Sequence, residues 1–292
     1  MTFEEMAATL EASGDYKILR RLVPRAHLHT PSGLTRTALF VDVETTGLDA
    51  ARHEIIELAM VPFTYEREGR ICEVKEPFHA LQQPSDPITP EITKITGITD
   101  EMVAGKVIDW DKVRAQVEAA DLIIAHNASF DRQFLERACE AFQHKPWGCS
   151  NSQVDWAAEG FEGTRLGYLV ASAGFFFEKH RALNDCHAAV ELLAHVLPVS
   201  GLPAFQQLLE RARKVSFRVF AAYAPFEFKD VLRERGYRWN ADGQGPHRAW
   251  YIDVDEVQLK SEQQFLESEV YARGVDLPVL RIDAFNRFSA RI

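Results

Sequence analysis

A chain of 292 residues, 46% hydrophobic and 26% charged, has the composition of a globular protein long enough for about two domains. Its formal net charge of −10 argues against a protein that coats nucleic acid nonspecifically, and no apolar run approaches the ~20 residues that span a bilayer. The acidic start Met1-Thr2-Phe3-Glu4-Glu5 does not read as a secretory signal. Cys72, Cys139, Cys149 and Cys186 lack metal-site spacing, so the expectation is a cytoplasmic protein with free buried thiols and no membrane partner.

Residues 3–22 read as an amphipathic helix with a partial stripe of Phe3, Met6, Leu10, Ile18 and Leu22, ended by Pro24 and Pro31-Ser32-Gly33. Three strand-like runs follow, 38–44, 54–63 and about 71–81, the first two joined by a polar turn that suits an antiparallel hairpin. Residues 83–100 are rich in Pro, Thr and Asp and predict loop and short helix. From 109 onward helix and strand alternate: a helix from Trp110 to Ala120, a strand Leu122–Ala125, a helix from Asn127 to about Ala141, and helices near 165–172 and 183–196. Strands first and alternation afterwards predict an α/β layer domain with a mixed sheet flanked by helices. Pro198, Gly201 and Pro203 mark its end, and charge shifts there too. Residues 1–210 hold 19 Lys/Arg against 31 Asp/Glu, whereas residues 211–292 hold 14 against 12.

The chemistry begins in Leu39-Phe40-Val41-Asp42-Val43-Glu44-Thr45-Thr46-Gly47-Leu48. Side chains alternate along a strand, so Asp42 and Glu44 point to one side, ~7 Å apart. Two carboxylates in so apolar a stretch are costly to desolvate, and a hard divalent cation removes that cost. The pair alone is weak evidence, since Asp-x-Glu also occurs at solvated strand ends. Asp131, just after Asn127, and Asp185, just after Asn184, each open a helix, where the dipole favours an acid whatever its function. His180 stands five residues before Asp185, and imidazole is the side chain suited to accept a proton near neutral pH.

Together these segments resemble the motifs of the DEDDh 3′–5′ exonucleases, a superfamily that includes the proofreading epsilon subunit of bacterial DNA polymerase III. Phe40-Val41-Asp42-Val43-Glu44-Thr45-Thr46-Gly47-Leu48-Asp49 is similar to the first motif, and Ile124-Ala125-His126-Asn127-Ala128-Ser129-Phe130-Asp131 to the second. His180-x-Ala182-x-x-Asp185 is similar to the third, and Ile95-Thr96-Gly97-Ile98-Thr99 to the substrate loop. The resemblance covers about 38–197; Cys186, where Ala is common, is a minor departure. It implies a ribonuclease H-like mixed five-stranded sheet and two divalent metal ions, Mg²⁺ or Mn²⁺. By it, Asp42, Glu44 and Asp185 would hold the first metal, Asp42 would also touch the second, Asp131 would support the metal site directly or through water, and His180 would be the general base. Substrate contacts would come from Thr45, Thr46, Gly47, Leu48, Ile98, His126, Asn127 and Phe130. Leu48 and Phe130 could equally be core, and His126 a satisfied buried histidine.

Beyond the linker, Lys229 to Gly236 reads as a helix, followed by a hairpin whose turn is Ala241–Pro246 and a long acidic helix near 255–272. The pattern Gly-Tyr-x-Trp…Trp-Tyr looks like a small accessory module found on nucleic-acid enzymes. Aromatics interleaved with Arg233, Arg235, Arg238 and Arg248 could stack on and clamp single strands, but Trp239 and Trp250 better fit the core of so small a module, which leaves Arg238 and Arg248 as nucleic-acid contacts. The expected organisation is an N-terminal helical extension (1–30), an exonuclease domain (31–200), a linker (201–214) and an α+β accessory module (215–292). The expected function is removal of nucleotides from a free 3′ end, DNA preferred, with release of nucleoside 5′-monophosphates. RNA trimming, or service as a polymerase or repair partner, is the alternative.

Overall fold

The computed structural model describes residues 1–241, 247–272 and 274–291. It divides into two units, Met1–Ala212 with Phe288–Ile292, and Arg213–Arg287. In chain order the first unit contains α1 (Phe3–Ala12), β1 (Arg20–Arg21), β2 (Thr35–Thr45), β3 (Ile55–Glu66), β4 (Ile71–Val74) and β5 (Phe78–Leu81). Next come α2 (Pro90–Thr96), α3 (Asp100–Val103), α4 (Trp110–Ala119), β6 (Leu122–Ala125), α5 (Ala128–Ala138) and β7 (Trp147–Cys149). Then α6 (Leu166–Ser172), β8 (Phe175–Phe176), α7 (Ala182–Ala194) and α8 (Ala204–Arg213) complete it.

A mixed sheet carries this unit. β2 and β3 form the antiparallel hairpin, β6 lies parallel to β2 and β7 parallel to β6, in the order β4-β3-β2-β6-β7. β4 and β5 both pair with β3, giving six strands instead of five. The run expected as one strand at 71–81 breaks at Pro77, which has no N–H to offer the ladder. Side-chain alternation sorts β2 into two cores. Ala38 and Phe40 face α6, α7 and α8, whereas Leu39, Val41 and Val43 face α4 and α5. Asp42 and Glu44 continue the first row, so the acids emerge on the side of α7. Burial of Phe40 alone contributes about 1.5–3 kcal/mol to holding that row in place.

Further expectations are corrected. The first helix ends at Ala12, because Gly14 takes φ 79° and turns the chain, and no residue of α1 is buried. Residues 204–213, expected within a linker, form α8. Its periodic apolar face buries Phe205, Leu208 and Leu209 in the core, an outcome the Pro/Gly punctuation before it concealed. All four cysteines are free and buried. Among the described residues, no helix is long and apolar enough to cross a membrane.

The second unit contains β9 (Ser216–Ala221), α9 (Lys229–Glu234), β10 (Arg238–Trp239), β11 (Trp250–Asp255), α10 (Glu256–Phe265) and β12 (Val279–Ile282). Its four strands form an antiparallel sheet, order β10-β11-β9-β12, over a core of Val219, Leu232, Tyr237, Val254, Leu266 and Val270. The helix expected to run to 272 gives way to a π-helical turn at Leu266–Val270. Of the expected hairpin turn, residues 242–246 lie outside the described residues.

Candidate metal centre

Each acid of the site is placed by a different piece of local structure. Asp42 and Glu44 are fixed by the β2–β3 register, opposite Ala59 and Glu57. Asp185 lies in the first turn of α7, where its carboxylate accepts the backbone N–H of Arg181 at 3.1 Å. Oxygens of Asp42, Glu44 and Asp185 all lie within 4.8 Å of one another, the spacing a single cation can bridge. Asp131, on α5, is not part of that trio and is buried. Pairing of β2 with β6 extends only to Phe40 opposite Ile124, so Val43 has outrun its neighbour. Asp131 takes over, accepting the Val43 N–H at 3.2 Å between the two strand acids.

The electrostatics agree. Burial, reinforced by the charges of Asp131, Asp185 and Glu44, drives the Asp42 carboxyl well above its ordinary range. Burial and the charges of Asp185, Glu57 and Asp131 push Glu44 up to about 8. Burial lifts Asp131 to about 7 and Asp185 to about 6, the latter restrained by backbone N–H groups of Arg181 and His180. Four carboxyls that resist ionisation together lack positive charge. An all-oxygen donor set of this kind fits a hard divalent cation.

One residue that sequence reasoning passed over supports this cluster. Glu57 is fully buried on β3 opposite Glu44. It accepts hydrogen bonds from His79 Nε2 at 2.7 Å, Arg181 Nη2 at 3.1 Å and the Ala182 N–H at 2.9 Å. Burial alone would raise its pKa, but these donors hold it below the ordinary value. The signal was available, since Glu57 is a lone acid inside the apolar run Ile55-Ile56-Glu57-Leu58. Cys186 is a structural thiol, buried against the Phe40 and Ala59 carbonyls of β2 and β3.

The other expected residues divide. His180 is exposed just before α7, in the left-handed region at φ 61°, and is not among the three grouped acids. Thr45 donates to the Gly47 carbonyl at 2.7 Å, and Thr46 accepts the Glu54 N–H at 3.0 Å, closing the turn after β2. Leu48 is 85% exposed and therefore not core. Asn127 occupies the N-cap of α5 without a side-chain cap bond, and half-buried Phe130 packs on Phe134 at 5.0 Å. Ile98 is a correction: it is fully buried with Ile56, Ile88 and Val103, and the exposed apolar side chain of that loop is Ile95. For His126 the satisfied-histidine reading left open by its motif describes its bonding. Its Nε2 bonds the Thr164 carbonyl at 2.8 Å, its Nδ1 meets Ser150 Oγ at 2.9 Å, and burial lowers its pKa, which makes it a neutral, satisfied histidine. In the second unit Arg238 bonds Asp253 at 3.3 Å and lies over Tyr251, whereas Arg248 is exposed.

Comparison with known proteins places these observations. The RNase_T family model, described as Exonuclease, matches residues 39–193, a span holding all four site acids and His180. The PolC-type DNA polymerase III of Bacillus subtilis is 34% identical over 170 residues, 55% of this chain but 11% of that protein. The chain thus spans about a tenth of the length of its PolC-type relatives. DNA polymerase III subunit epsilon of Treponema pallidum is 32% identical over 167 residues, 53% of this chain and 74% of that subunit. The zinc-bound Escherichia coli ExoI–ssDNA complex matches with a TM-score of 0.51 at 17% identity, covering 78% of this chain and 66% of that one. That likeness is one of fold, the ribonuclease H-like sheet flanked by helices.

Proposed function

We propose that this chain, which belongs to the exonuclease family matched over residues 39–193, is a divalent-metal-dependent 3′–5′ exonuclease of DNA. Membership makes it a phosphodiester hydrolase. The observation that carries it is the convergence of Asp42 and Glu44 from β2 with Asp185 from α7. Similarity to the PolC-type DNA polymerase III and to DNA polymerase III subunit epsilon favours DNA over RNA.

Asp42, Glu44 and Asp185 would hold one cation, Asp42 would reach a second, and Asp131 would support both by fixing the backbone between the strand acids. Two bound Mg²⁺ or Mn²⁺ ions would supply positive charge to the attacking and leaving oxygens of an in-line displacement. His180 takes the proton of the attacking water. The water oxygen bonds to phosphorus, the bond to the leaving 3′-oxygen breaks, and that oxygen gains a proton, so a nucleoside 5′-monophosphate departs. Exposed Leu48 and the Thr45–Gly47 turn line the approach for the terminal nucleotide, with Asn127 and Phe130 on the α5 side. Incubation with DNA and RNA oligomers, followed by chromatography, tests this. Nucleoside 5′-monophosphates should accumulate faster from DNA; 3′-monophosphates, or a preference for RNA, would overturn the reading.

A further inference from the structure

The second unit carries two cation–ring pairs joined along α9, with a further ring beside the second pair. Lys229 Nζ sits 4.3 Å over the Phe226 ring. Arg233, four residues on and hence on the same side of α9, lies 5.8 Å over Trp250. Trp250 in turn meets Trp239, its register partner on β10, edge-on at 5.8 Å. Phe226 is 77% exposed and Trp239 50%. Tyr223, 79% exposed, stands two residues past β9 at φ 57°, a backbone region that an aromatic residue enters only at a cost.

Folding does not require this display. The core of the unit is filled by Val219, Leu232, Tyr237, Val254 and Leu266, with Trp250 packed against it, and Tyr223, Phe226 and Trp239 are not part of that cluster. Residues 213–251, which carry the row, hold eight Lys/Arg against four Asp/Glu; of these Arg218 and Arg238 pair with Asp253, and Arg235 with Glu262. Asp230 pairs with Arg233 at 3.1 Å, but both side chains are more than 60% exposed, so the pair is readily exchanged for a phosphate.

We propose that Phe226, Lys229, Arg233 and Trp239 form a stacking site for single-stranded nucleic acid. The class of ligand rests on the exonuclease reading of the first unit. Bases stack on Phe226 and Trp239, and Lys229 and Arg233 meet the phosphates between them. A duplex hides the faces that these rings need, so the preference is for single strands. Linked to the catalytic unit in one chain, the site raises the local concentration of substrate without touching the reacting bond. Arg238, bonded to Asp253 but as exposed as Arg233, and exposed Arg248 stay expected contacts beside the α9 face.

The test uses the full chain carrying Asp185→Asn, with chelator, and a 5′-fluorescein single strand of about 20 thymidines. In anisotropy titrations Phe226→Ala should weaken binding about tenfold, with Trp239→Ala adding to it. Lys229→Gln with Arg233→Gln should lower the slope of log affinity against log salt by about 1.4, and affinity for a blunt duplex should be unchanged. Phe226 is so exposed that its loss leaves folding intact, which matching circular dichroism and melting curves will verify. Single-strand affinity unchanged in Phe226→Ala and in the double Gln variant overturns the proposal; a row serving a peptide instead gives that result. A chromogenic thymidine 5′-monophosphate ester, too small to reach the row, reports separately on the catalytic centre. Loss of its turnover in otherwise unsubstituted protein would count against the exonuclease reading alone.

Discussion

Glu57 and Arg181 meet beside the cluster of Asp42, Glu44 and Asp185. The buried carboxylate of β3 accepts Nε and Nη2 of Arg181 at 3.2 and 3.1 Å, and the next backbone N–H, Ala182, at 2.9 Å. Arg181 lies between His180 and the helix that carries Asp185. Glu57 is thus a positioning residue, anchoring the start of α7 from the strand that faces Glu44. Glu57→Gln should lower kcat about tenfold with little change in KM. Because both residues serve one contact, adding Arg181→Ala should cost less than the product of the separate losses. Additive losses would show that the contact does not position the helix.

The raised carboxyls fix a pH dependence of stability. With metal chelated, Glu44 retains its proton up to about 8, whereas the unfolded chain loses it near the ordinary value of 4.5. Asp131 at about 7 and Asp185 at about 6 behave likewise, relative to 3.8 unfolded. The folded state therefore binds more protons, and stability falls as pH rises from about 4 to 8. Calorimetry of chelated protein should show a lower Tm at pH 8 than at pH 5.5, and Mg²⁺ or Mn²⁺ should raise Tm more at pH 8. Asp42→Asn should flatten the dependence. A Tm that rises through this range would contradict the electrostatics.

Gly47 lies in close contact with an imidazole. A Cβ there would come within 2.5 Å of the His53 ring, which otherwise lies 3.4 Å from Thr46 Oγ1. Gly47→Ala should displace the ring and loosen the turn that presents Leu48, raising KM more than it lowers kcat. His53→Ala makes room, so the double variant should recover most of the loss. Failure of that rescue in steady-state kinetics would assign the Gly47 effect to something other than His53.

How much of this was legible in sequence varies with the kind of residue. Asp42, Glu44 and Asp185 could be read because strand alternation and helix starts dictate where such side chains point, and the structure brings them together. Asp131 could be located but its partner could not, since the Val43 N–H is orphaned only by the early end of β6. Ile98 looks like a surface residue from its motif, and its burial depends on Ile56 and Ile88, which spacing does not reveal as neighbours. For His126 both readings were open, and its partners Ser150 and Thr164 become visible only in the fold. Phe226 and Lys229 are not legible as a pair, because an aromatic beside a lysine signals nothing until the fold exposes the ring and lays the ammonium over it.

In the second unit Glu262 joins the buried Tyr237 hydroxyl at 2.7 Å and Arg235 Nε at 2.9 Å. Glu262→Ala leaves both donors without this acceptor and should destabilise the unit by about 2–3 kcal/mol. Urea unfolding followed by tryptophan fluorescence reads this, since Trp239 and Trp250 both lie in that unit. A shift under ~0.5 kcal/mol would mean the network contributes little.

Stepwise hydrolysis from the 3′ end is the most direct test of the central claim. A 5′-labelled single-stranded DNA with a free 3′-hydroxyl, and a copy with that end blocked, are incubated with the chain and Mg²⁺. The free strand should shorten one nucleotide at a time, the blocked strand should persist, and Asp185→Asn or chelator should halt the reaction. Equal attack on both strands, or undiminished activity in Asp185→Asn, would contradict the account.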